Sequence, residues 1–177
     1  MTPSCKKDEI STIDPADTTA TVTLTTNGAA ITTTMGQSTL IHIPFEQHIW
    51  TKLNLINNAG ANRLTLTIWN HDVQNPPIGG VKSKKYYPNT GFGTHFTNPS
   101  GGYWSDACDA EWKTDTKTYL TDCWSDKSSY IEITSCDNYA KKVSGNFSFF
   151  VRESSNASDT LRLSGTFKNQ PYSVMNK

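Results

Sequence analysis

Residues 130–172 alternate apolar and polar side chains with a period of two almost without a break. A strand turns successive side chains to opposite faces, so this pattern marks half-buried antiparallel strands and excludes an amphipathic helix, whose apolar positions recur every three to four residues. Within the stretch one phrase occurs twice. Val143-Ser144-Gly145-Asn146-Phe147 is echoed twenty residues on by Leu163-Ser164-Gly165-Thr166-Phe167. The polar run Glu153–Asp159 between them has the composition of a hairpin loop. A hairpin folded about Asn156 pairs residues whose numbers sum to 312, which sets Phe147 against Gly165 and Gly145 against Phe167. Each ring then covers a bare glycine across the strands. The same register gathers Phe147, Phe149, Leu161, Leu163 and Phe167 on a buried face and leaves Ser144, Asn146, Ser148, Arg162 and Thr166 on the other.

The N-terminal half continues in strands. Residues 20–26 alternate Val22 and Leu24 with threonine, and Asn27-Gly28 is a hairpin-turn signal. Residues 29–35 and 39–43 extend the pattern, with Pro44 expected to end the second of them. Leu53 and Leu55, a turn at Asn58–Ala61, and then Leu64, Leu66 and Ile68 form a second hairpin. With 25 threonines and abundant aromatics the chain favours strands throughout. The expected fold is all-β, an antiparallel β-sandwich of about 8–10 strands, with a partly open barrel as the alternative. Uneven strand lengths and loops clustered in the middle favour the sandwich. One domain is expected over residues 19–177, preceded by a flexible segment, residues 1–18, that has little apolar surface to bury.

The middle, residues 70–126, is broken by Pro76-Pro77, Gly79-Gly80, Pro88, Pro99 and Gly101-Gly102 and interleaved with aromatics. Loops on a β scaffold are where binding residues collect, and Tyr103, Trp104, Trp112 and Trp124 are the candidate stacking residues. Chemistry is sparse. The four histidines are scattered without metal-ligand spacing, and the acidic segment from Asp106 to Asp126 fits no EF-hand loop. No metal site and no cofactor are expected. Equal numbers of basic and acidic side chains, 16 of each, call for neither nucleic acid nor an anionic membrane.

Ile131–Asp137, Val143–Phe149, Leu163–Asn169 and Pro171-Tyr172 together resemble the C-terminal half of a family of Bacteroidota lipoproteins of unknown function. Its pattern runs Ile-Thr-Ile-Thr, an Asp turn, Ser-Gly-Thr-Phe-Ser-Phe, and Gly-Thr-Phe-x-Asn-x-Pro-Tyr. The likeness covers about the last third of the chain well. Cys5, in Met1-Thr-Pro-Ser-Cys5-Lys6-Lys7, is similar to the cysteine that is lipidated after signal cleavage in such proteins. The resemblance implies a bacterial cell-envelope protein, surface-exposed or periplasmic, whose membrane contact is an N-terminal lipid anchor. In that oxidising setting Cys108 and Cys123, flanking one aromatic hairpin, are the expected disulfide, with Cys136 left over. Two functions follow. The first is a non-enzymatic binding module for a glycan or another envelope protein. The alternative is a glycan-acting hydrolase using loop carboxylates such as Asp106 and Glu111.

Overall fold

The computed structural model describes residues 21–45, 48–72, 82–88, 107–121 and 128–176; the expected N-terminal segment and most of the aromatic middle lie outside them. The turn signals act where the sequence places them. Asn27 and Gly28 both take positive φ, 47° and 83°, the conformation of a two-residue hairpin turn. They join β1 (Thr21–Thr26) to β2 (Ala29–Ile31). Strand β5 (His48–Ala59) returns through Gly60, φ 63°, into β6 (Asn62–Asp72). Their register sets Leu53 against Ile68 and Leu55 against Leu66, and all four side chains are buried.

Two local expectations are corrected. Residues 29–35 are not one strand: β2 ends at Ile31, and β3 (Thr34–Met35) pairs with β5 instead of β1. The chain passes here from one half of the fold to the other, with the Thr33 hydroxyl donating to the Val22 carbonyl at 3.0 Å. Pro44 does not end its strand, since β4 runs Thr39–Phe45 with Pro44 opposite Ile49. The reason is the neighbour on the other side. β13 (Ser173–Asn176) pairs with β4 only from Thr39 to His42, so beyond that point β4 is an edge among the described residues, where a missing N–H is tolerated.

The remaining strands are β7 (Lys85–Tyr86), β8 (Ala107–Lys113), β9 (Thr118–Thr121), β10 (Tyr130–Asp137), β11 (Lys142–Glu153) and β12 (Thr160–Pro171). Among the described residues thirteen strands make one sheet whose path runs β13-β4-β5-β6-β8-β9-β11-β12-β1-β2, antiparallel except for β13 with β4. The sheet forks at β11. On one side the N-terminal part of that strand pairs with β10 and its C-terminal end pairs with β9. Both halves of the sheet bury their inner faces in a single cluster. Leu40, Leu53, Leu66 and Trp112 enter it from one half, and Leu24, Ile131, Phe147, Phe149 and Phe167 from the other. Among the described residues the path does not close into a barrel. The fold is the expected all-β sandwich, with more strands than expected because β2, β3 and β7 are only two or three residues long.

The hairpin of β11 and β12 has the expected register. Gly145 pairs with Phe167, Phe147 with Gly165, Phe149 with Leu163 and Val151 with Leu161. The apolar set is buried apart from half-buried Leu161. The loop is built by its own polar side chains. The Glu153 carboxylate accepts from the Ser155 amide (3.0 Å) and hydroxyl (2.8 Å), and the Asp159 carboxylate from Tyr119 (3.1 Å) and Lys117.

Candidate functional site

Alternation along β8 decides the fate of the expected site residues. Cys108, Ala110 and Trp112 turn inward, and Asp109 and Glu111 turn to the outer face. Trp112, expected to stack on a ligand, is 3 % exposed and lies in the core beside Leu64, its partner across the strands. Cys108, expected in a disulfide, is a buried thiol whose S–H donates to the Tyr86 carbonyl at 3.2 Å. Cys136, expected to be left over, is disulfide-bonded, to a partner outside the described residues. Tyr103, Trp104, Trp124, Cys5, Cys123 and Asp106 all lie outside the described residues.

The outer face of β5, β6 and β8 carries a group that the strand pattern alone did not single out. Register stacks it in two rows across three strands. One row is Asn54, Thr67 and Asp109, and the next is Lys52, Trp69 and Ala107. The Lys52 ammonium sits 4.6 Å from the centre of the Trp69 ring, a cation–π contact. Thr67 donates its hydroxyl to Asn54 Oδ1 at 3.2 Å. Burial pushes the Asp109 carboxyl above its ordinary value, while the Lys52 charge, Thr67 and Trp69 draw it back and Glu111 adds to the rise. Glu111 itself faces Arg63 on β6 at 3.7 Å.

This arrangement offers a half-buried indole, a carboxyl, an amide and an ammonium on long central strands, which hold side chains more rigidly than loops do. Such a set can stack a ring and bond its polar substituents. The acidic side chains Asp109 and Glu111 have separate partners in Lys52 and Arg63. Among the described residues no group of three or more His, Cys, Asp or Glu side chains is placed to hold a metal ion. Alternation already puts Lys52, Asn54, Thr67 and Trp69 on the outward parity. The missing signal was the register, which the turn at Gly60 sets. The chain matches no protein-family model, no curated protein and no solved structure.

Proposed function

We propose that this protein is a non-enzymatic binding module of the bacterial cell envelope, held by a lipid on Cys5, that takes a glycan on the outer face of β5, β6 and β8. The observation that carries the reading is the Lys52–Trp69–Asp109–Thr67–Asn54 group: an indole beside hydrogen-bonding side chains suits a sugar ring, whose faces are apolar and whose rim is hydroxylated. The disulfide at Cys136 supports an exported chain, because such bonds persist in oxidising compartments. The lipoprotein resemblance in residues 131–172 supports the anchor.

Binding is favoured over hydrolysis by the geometry of the acids. A glycosidase needs two carboxyl groups flanking one bond, and here Asp109 is engaged by Lys52, Thr67 and Trp69 while Glu111 turns to Arg63. The test is a glycan array followed by calorimetry on the best hits. Wild type binds, and Trp69→Ala, which removes the stacking surface, loses affinity by tenfold or more at unchanged thermal stability. Products appearing on prolonged incubation with the bound glycan would overturn the non-enzymatic reading. Fatty-acid labelling of the envelope-expressed protein, lost in Cys5→Ala, tests the anchor.

A further inference from the structure

A second feature lies on the other half of the fold, at the turn between β10 and β11. Tyr139, at the tip of that turn, is 98 % exposed, against 52 % for Tyr87, the next most exposed large apolar side chain among the described residues. A single exposed ring needs no explanation by itself; here its mounting and its place in the fold supply one. Asp137 Oδ1 accepts from the backbone N–H of Tyr139 at 3.0 Å and of Ala140 at 2.8 Å. Lys141 closes the turn at a left-handed φ of 55°, a conformation that its surroundings must hold. Tyr172, at the corner between β12 and β13, holds it. The Tyr172 N–H donates to the Lys141 carbonyl at 3.0 Å, and its hydroxyl donates to Asn138 Oδ1 at 3.1 Å. Strand β13, which leaves this corner, exposes Val174 and Met175. The tip is a braced projection with its ring in solvent.

Register puts the entry of the chain at the same end. Lys142, the first residue of β11, pairs with Pro171, the last of β12, and Thr21, the first of β1, pairs with Lys168. Thr21 is therefore about 10 Å along β12 from the level of Pro171, and two strands, about 10 Å, across from β11. The loop between β11 and β12, residues 154–159, lies at the far end of the same hairpin. Fifteen residues separate Cys5 from Thr21, and they reach about 50 Å at most. That reach brings the tip to a bilayer without fixing how the domain is turned on it. The tip has two bases, Lys141 and Lys142, against the acid Asp137, whose carboxylate keeps its charge within the turn, so its net charge is a single positive one.

We infer that this end faces the membrane and that Tyr139 enters the headgroup layer of the bilayer that holds the lipid on Cys5. The inference rests on the anchored reading above and adds a second contact to it. A tyrosine suits that layer because its ring is apolar and its hydroxyl stays wet. One ring binds a bilayer weakly when free in solution. Tethering makes the encounter intramolecular, so a weak contact is enough to set the orientation. With a single net charge the preference for anionic lipid is slight, and the tyrosine carries the contact.

The experiment attaches the full chain to nanodiscs through an N-terminal histidine tag on nickel-chelating lipid, so that attachment does not depend on acylation of Cys5. The bilayer is phosphatidylethanolamine and phosphatidylglycerol with a gadolinium-chelating headgroup lipid, and amide relaxation is read by NMR as the difference from a diamagnetic lutetium bilayer. Enhancement centres on residues 138–142 and 174–175 and is least at residues 154–158. Tyr139→Ser abolishes this focus at unchanged thermal stability, since the side chain touches so little of the fold, and Tyr139→Trp keeps it. Leaving out the phosphatidylglycerol changes little. Enhancement that is uniform over the domain, centred on another surface, or indifferent to Tyr139→Ser would overturn the inference. Fatty-acid labelling of Cys5 is scored separately, so failure of the anchor and failure of the tip contact are distinguishable.

Discussion

Phe147 and Gly165 face each other across β11 and β12, and the ring lies over the glycine so closely that an added Cβ would sit 2.8 Å from Phe147 Cζ. Phe167 and Gly145 repeat the relationship in reverse, with 2.6 Å from the added Cβ to Phe167 Cζ. The two pairs lock the register, because a shift of two residues would keep the faces yet drive each ring against a neighbour with a side chain. Phe147 is 2 % exposed, so Phe147→Ala is expected to cost about 3–5 kcal/mol, while Ser148→Ala on the outer face costs little. Urea unfolding of the two variants checks this, and similar midpoints would remove the hairpin from the centre of the core.

The glycines give the converse test. A methyl at Gly165 meets the Phe147 ring at 2.8 and 3.0 Å and the Thr23 backbone carbonyl as well. The ring can turn but the β1 backbone cannot. Gly165→Ala is expected to destabilise by about 1–3 kcal/mol, as overpacking does. In the Phe147→Leu background the clash with the ring is relieved and that with Thr23 remains. The extra cost of the methyl therefore falls without vanishing, as thermal unfolding of the four proteins would record.

The sulfur chemistry separates just as cleanly. Cys108 is a buried thiol and Cys136 is disulfide-bonded. Made without lipid on Cys5, unfolded without reductant and alkylated, a chain with four cysteines and that one bond takes up two alkyl groups. Cys108→Ala is expected to take up one and Cys136→Ala three, since the second substitution releases its partner. Mass spectrometry reads the result, and three groups on Cys108→Ala would return Cys108 to a disulfide.

How much of this was legible depended on range. The β11–β12 register was readable because one short segment carries its own turn, its own alternation and a repeated Ser-Gly-x-Phe phrase. Cys108 and Trp112 misled because they sit in a segment rich in acids and loop residues that reads as surface. Yet β8 lies between β6 and β9, and a strand inside the sheet buries every second residue. The Trp69–Asp109 group was unreadable for a different reason. Its members lie on three strands that are up to 57 positions apart in sequence, Lys52 to Asp109, and only the packed sheet brings them together.

Asp109 also predicts a pH dependence. Burial raises its folded-state value above the ordinary 3.8, so between those two values the folded chain holds more protons than the unfolded one. Stability from this group is then lost as pH rises through that window. Asp159, drawn down from 3.8 chiefly by its hydrogen bond with Lys117, acts in the opposite sense. It contributes stability above the unfolded value that disappears as pH falls through the folded one. Subtracting Asp109→Asn from wild type isolates the first effect. The asparagine variant is expected to gain relative to wild type as pH climbs above about 4. A difference flat from pH 3 to 8 would show that the carboxyl titrates as if in water.

The last prediction concerns a polar knot inside the core, where β12 turns toward β13. Gln170 is fully buried, and its Nε2 faces the Ser38 hydroxyl at 3.0 Å, Asn57 Oδ1 at 3.3 Å and the Ile56 carbonyl at 3.4 Å. Ser38 accepts in turn from the Ile56 N–H at 3.1 Å. One side chain thereby ties β12 to β5 and to the chain just before β4, the point where the two halves of the sandwich must be aligned. Apolar packing alone would leave that alignment loose, since greasy surfaces slide. Gln170→Met keeps the volume but strips Ser38 and Asn57 of a donor in a site closed to water. We expect a cost of about 1–3 kcal/mol. Ser38→Ala should cost less in the methionine background than in wild type, with a coupling of about 0.5–3 kcal/mol. Additive losses in that cycle would show that Gln170 and Ser38 do not act together.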